Sequence, residues 1–147
     1  MRNLIIYVSI HHGNTEKVAK AMAEILSAEL VKPHDVDITA LPKYDLIGFG
    51  SGIYFGKYHK SLLSLVDKLP VLKSKKAFIF YTSDRTEPNR ELKEKLLAKG
   101  FDIIGEFSCR GWDTWGPLKL IGGISKGRPN KEDLEKARNF AKDLLED

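Results

Sequence analysis

The sequence predicts an α/β protein: a doubly wound, three-layer sandwich with five strands in a parallel sheet. Two recurring patterns predict it. Short apolar runs ended by turn residues suit strands buried on both faces, and stretches with apolar residues at helical spacing separate them. The third observation is the junction from Asn3 to Thr15, NLIIYVSIHHGNT, where a strand, a small polar loop and a helix follow one another directly.

Leu4-Ile5-Ile6-Tyr7-Val8 is the first strand, and Val18, Met22 and Ile25 mark the buried side of the first helix. Val36 to Ile38 reads as a short second strand beyond the turn residues Pro33-His34-Asp35. Thr39 to Asp45 is too short for a long crossover helix, so a single turn or a reduced helix is expected there. Leu46 to Gly50 is the third strand, opening into a loop from Ser51 to Tyr58. A second helix follows, with Leu62, Leu63, Leu65, Val66 and Leu69 facing inward and Pro70 ending it. Ala77 to Tyr81 is the fourth strand. Pro88 is expected in the first turn of a third helix that buries Leu92, Leu96 and Leu97 and stops at Gly100. Phe101 to Cys109 is the fifth strand. The last helix is expected to start at Asn130, with Asp133 as its capping-box partner, and to bury Leu134, Ala137, Ala141, Leu144 and Leu145.

A length of 147 residues, 42% hydrophobic and 30% charged, suits one domain over residues 1–147 with a single adequate core. No apolar run approaches the length needed to cross a bilayer, and Met-Arg-Asn-Leu leads straight into the first strand, so no cleavable signal is expected. The single cysteine, Cys109, excludes an internal disulfide and fits a reducing, cytoplasmic setting; without a second cysteine it reads as an inert strand-end residue. The net charge of +4 comes from lysines scattered over helices and turns, not from one basic face interleaved with aromatics. That distribution describes a solvated surface and argues against nucleic-acid binding. No carboxylate pair, nucleophile–base pair or metal-ligand cluster is visible.

The chemistry concentrates in loops at the carboxyl ends of the strands. A helix N-terminus offers unsatisfied N–H donors and the positive end of its dipole to an anion. Around it, the hydroxyls of Ser9 and Thr15 and the Asn14 amide could encircle one phosphate, and Gly13 permits close approach. No Gly-Lys-Ser/Thr ending and no G-x-G-x-x-G follows the first strand, so neither an NTPase loop nor a dinucleotide fingerprint is present. Neutral donors suit holding a phosphate as a handle.

Ser9 followed by Gly13-Asn14-Thr15-Glu16 resembles the signature of the flavodoxin family, whose hydroxyl-rich loop grips the phosphate of FMN; His12 stands where that signature usually has Thr. The resemblance implies strand order 2-1-3-4-5 and a ligand crevice at the carboxyl ends of strands one and three, a rule for which the flavodoxin fold is itself one of the founding cases. It implies a phosphate loop of Ser9, Ile10, His11, His12, Gly13, Asn14 and Thr15. It also implies an isoalloxazine loop of Ser51, Gly52, Ile53, Tyr54, Phe55 and Gly56, with Tyr54 as first ring-facing candidate, Phe55 as second, and Gly56 as the peptide most able to turn its carbonyl. Thr82, Ser83 and Asp84 correspond to the family's third flavin loop, which works mainly through its backbone, and Trp112 is a further candidate beside Trp115. Gly48-Phe49-Gly50-Ser51-Gly52 mimics a glycine fingerprint but lies inside and after strand three, and is discarded.

The expected activity is therefore electron transfer between redox partner proteins through bound FMN. The positive net charge makes an acidic partner the natural match. Two alternatives stand beside it. One is an FMN-dependent reductase or dehydrogenase of quinone or protoporphyrinogen type, because Gly52 to His59 looks somewhat like the corresponding loop of such an enzyme; the other is a flavin-free interaction module.

Overall fold

The computed structural model describes residues 1–10, 13–83, 87–111 and 127–146. Among them, five parallel strands form one sheet: β1 (Asn3–Val8), β2 (Glu29–Val31), β3 (Leu46–Tyr54), β5 (Lys76–Ser83) and β6 (Asp102–Arg110), with a short β4 (Lys57–Tyr58) attached to β3. The order β2-β1-β3-β5-β6 is the expected 2-1-3-4-5 once β4 is set aside. Every residue of β1 is buried, as a central strand covered on both sides requires.

Two cores lie on opposite faces. Alternate β1 residues divide between them, Leu4, Ile6 and Val8 on one face and Ile5 and Tyr7 on the other. The first face packs α2 (Lys60–Lys68) and α3 (Glu91–Ala98), through Leu62, Val66, Leu92 and Leu96. The second packs α1 (Asn14–Leu26) and α4 (Lys131–Leu145), which lie against each other, through Val18, Met22, Ala137 and Ala141.

Glycines shape the second face. Gly48 and Gly50 pair in register with Phe78 and Phe80. A β-carbon on either glycine would come within 2.3 Å and 2.1 Å of those rings. The alternation that mimics a phosphate fingerprint is thus a smooth floor on which two phenyl rings lie, stacked with 6.0 Å between centroids.

Several boundaries differ from expectation. The second strand is Glu29–Val31, not Val36 to Ile38. Pro33 opens a 3-10 turn (Pro33–Asp35), and the Asp37 carboxylate accepts the Thr39 amide to start another over Ile38–Lys43, so the chain is not extended there. Val36 and Ile38 instead pack their side chains against the core. That second 3-10 turn is the reduced helix expected between strands two and three. The third helix begins at Glu91, downstream of Pro88, because the Asn89 side chain takes the Glu91 amide. Leu97 and Leu145, expected inside, are 50% and 41% exposed; each sits one residue past an inward neighbour, Leu96 and Leu144.

Candidate functional site

Strand register brings the loops together. Val8 of β1 lies beside Ser51 of β3, Gly52 beside Thr82 of β5, and Thr82 beside Cys109 of β6. The residues after these positions therefore leave the sheet along one edge, the carboxyl edge.

At β1, the chain enters α1 through Gly13, whose φ of 64° is the left-handed conformation that glycine tolerates. No side chain at Gly13 caps the helix; instead Ser9 reaches forward, its Oγ accepting the Glu16 amide at 3.0 Å. Ser9 thus serves the helix start as well as lining the loop. Glu16, the acid nearest the loop, is held by the Tyr7 hydroxyl at 3.3 Å and by Lys20 at 3.8 Å. Burial, reinforced by that carboxylate, pushes the Tyr7 phenol above its ordinary range. Thr15 is 2% exposed, and its Oγ1 lies 2.8 Å from Oγ1 of Thr82, itself 4% exposed. Asn14 packs on Gly111, where a β-carbon would fall 2.5 Å from its Nδ2.

At β3, the expected open loop is a hairpin. The strand runs on to Tyr54 and turns back at Phe55 and Gly56, with Tyr54 opposite Lys57 and Ile53 opposite Tyr58. Both turn residues have positive φ, 54° and 74°, as a two-residue primed turn requires. Glycine suits that geometry; phenylalanine does not, and Phe55 is 78% exposed at the tip. Tyr54 folds back so that a β-carbon on Gly52 would meet its hydroxyl at 2.7 Å, and its ring stands edge-on to His59 at 5.9 Å. His59 caps α2, its Nδ1 accepting the Ser61 amide at 3.1 Å. Ser51 is fully buried; its Oγ accepts the His59 amide and donates to the Gly52 carbonyl, so its side chain ties the hairpin. The Gly56 carbonyl accepts the Asn89 amide at 2.8 Å, which holds the peptide expected to be most free.

At β5 and β6, Ser83 accepts the Gly111 amide through its carbonyl at 3.0 Å. Burial, with a smaller push from Asp133, raises the Cys109 thiol to about 12, so it stays neutral. Sequence reasoning missed Gly111, Asn89 and the side-chain role of Thr82. His11, His12, Asp84, Arg85, Trp112, Trp115, Leu118, Leu120 and Ile121 lie outside the described residues.

A family model described as a flavodoxin domain matches residues 4–111, which spans the loops after β1, β3 and β5. The chain belongs to the flavodoxin family. It is 49% identical over 149 residues to an uncharacterized protein of Methanocaldococcus jannaschii, covering 99% of each chain. A short-chain flavodoxin associated with a bacterial microcompartment shares the fold with a TM-score of 0.76 at 16% identity, covering 99% of this chain and 97% of that one. Oxidised Flavodoxin 1 of Bacillus cereus does so with a TM-score of 0.75 at 20% identity, covering 99% and 98%. Among the described residues no group of three or more His, Cys, Asp or Glu is placed to hold a metal ion, and no helix is long and apolar enough to cross a membrane.

Proposed function

We propose that this protein binds FMN and carries electrons between redox partners. The observation that supports it best is the 2.8 Å contact between Thr15 and Thr82, which ties the first turn of α1 to the carboxyl end of β5. The donor set fits a phosphate. Gly13, Asn14 and Thr15 open a 13-residue helix whose positive end would face the anion, and the one acid of its first turn, Glu16, is held by Tyr7 and Lys20. The ring would lie toward the β3–β4 hairpin, where Tyr54 and Phe55 offer flat apolar faces. Phe55 projects further than Tyr54, so the second candidate of the sequence is the better displayed.

FMN supplies the redox chemistry, and the polypeptide binds, orients and shields it. The hairpin holds the aromatic pair through Ser51, and Asn89 fixes the Gly56 carbonyl. Cys109, held neutral by burial, stays out of the reaction.

Titrating flavin-free protein with FMN tests this directly. Stoichiometric binding, seen as quenched flavin fluorescence, followed by electron delivery to a one-electron acceptor protein, is the expected result. Absence of binding would return the fold to an interaction module. Steady turnover with quinones or nicotinamides would make the protein an FMN-dependent reductase.

A further inference from the structure

We propose that Thr82 is a positioning residue for the phosphate grip, acting through Thr15 to make the site prefer a phosphorylated flavin over its unphosphorylated form. The proposal rests on the flavin assignment above and gives the Thr82 side chain a role that it plays through Thr15. Both residues are more than nine-tenths buried, and among the described residues their hydroxyls lie 2.8 Å from each other. Each hydroxyl carries one proton and two acceptor lone pairs. Their shared bond consumes one proton and leaves two arrangements.

If Thr15 donates to Thr82, Thr15 turns only lone pairs toward the helix mouth, which repel an anion. If Thr82 donates to Thr15, the Thr15 proton is left to point outward. A phosphate dianion selects the second arrangement, and the chain Thr82 to Thr15 to phosphate is polarised along its length. Two neighbours bear on this chain. The Ser9 oxygen accepts the Glu16 amide, which fixes its place at the helix start and leaves its own proton for the anion. On the other side of Thr82, Cys109 is a neutral thiol and a weak competitor for the hydroxyl. Thr82 lies on the α1 face of β5, against the first turn of α1, so the side chain serves the phosphate end of the site.

The test compares FMN with riboflavin on the flavin-free full chain. Thr82→Val keeps the shape and removes the hydroxyl; Thr82→Ser keeps the hydroxyl. Wild-type protein is expected to prefer FMN. T82V is expected to weaken FMN about five- to tenfold while leaving riboflavin within about twofold, the scale of one neutral hydrogen bond. T82S is expected to retain the preference. A merely structural role would move both ligands together, so equal losses would overturn the proposal, as would an unchanged FMN affinity in T82V. If T82V folds poorly, Thr82→Ala supplies the same ratio. A wild type that prefers FMN while its T82V form keeps the full preference sinks only the role of Thr82; a wild type that binds neither flavin sinks that role together with the flavin assignment.

Discussion

Single residues set the tolerances of this sheet. Gly50 sits under the Phe80 ring at a distance no β-carbon can occupy, and the ring is pinned in a core between sheet and helices. Gly50→Ala should therefore destabilise the fold by about 1–3 kcal/mol, the usual cost of overpacking. Urea unfolding with an unchanged m-value would verify it, and a midpoint equal to wild type would show that Phe80 has room to move. Cys109 lies close by on β6, partly buried, with its thiol raised to about 12. In the folded protein it should resist iodoacetamide at mildly basic pH, while urea-unfolded chain reacts at the rate of an ordinary cysteine. Mass spectrometry after a timed exposure separates the two.

Elements show where local chemistry and fold disagree. The β3–β4 turn places a bulky residue at φ 54°, a conformation that Asn or Gly adopts far more readily. Phe55→Asn should stabilise the flavin-free protein by about 1 kcal/mol by relieving that strain. It should weaken FMN at the same time if Phe55 covers the ring. Thermal unfolding and flavin titration on one sample read both effects. Helix α4 shows the opposite case, full agreement between sequence and structure. Asn130 and Asp133 exchange capping hydrogen bonds at 2.8 and 2.9 Å, and Arg128 grips the same carboxylate through Nε and Nη2. The Arg128 guanidinium is the main reason the Asp133 carboxyl is held below its ordinary range. Because the folded value lies below the unfolded one, this stabilisation is complete above about pH 5 and is lost as pH falls below about 4. Asp133→Asn should cost about 1–2 kcal/mol at neutral pH and flatten the acid side of the stability profile. Unfolding free energies measured at neutral and acid pH check both parts.

For the whole molecule, legibility followed how many partners a residue type announces by itself. The first strand and the helix after it were readable because β1 is central, fully buried and followed closely by helix-start chemistry. The edge strand Glu29–Val31 was not, since it pairs on one side only and offers three residues, two of them exposed. The hairpin was hidden because Phe-Gly lacks the Asn-Gly signal of a primed turn. Thr82 was recognised as a loop residue but not as a side-chain partner of Thr15, for that contact spans 67 residues and leaves no local pattern. Charge, by contrast, is a property of the whole sequence. The net charge is +4, and Lys57, Lys60 and Arg110 are exposed beside the hairpin and the end of β6. An acidic redox partner would be drawn to these cations, and exposed charges are screened over about 8–10 Å at moderate salt. Lys57 and Lys60 are exposed and belong to neither hydrophobic core, so Lys57→Glu combined with Lys60→Glu should leave folding intact. The double variant should slow electron delivery to an acidic acceptor protein by about tenfold at low ionic strength. Stopped-flow rates for wild type should fall steeply with added salt, and the two proteins should converge at high salt. Parallel curves with no salt dependence would mean that docking uses apolar contact, with Phe55 at 78% exposure the first place to look for it.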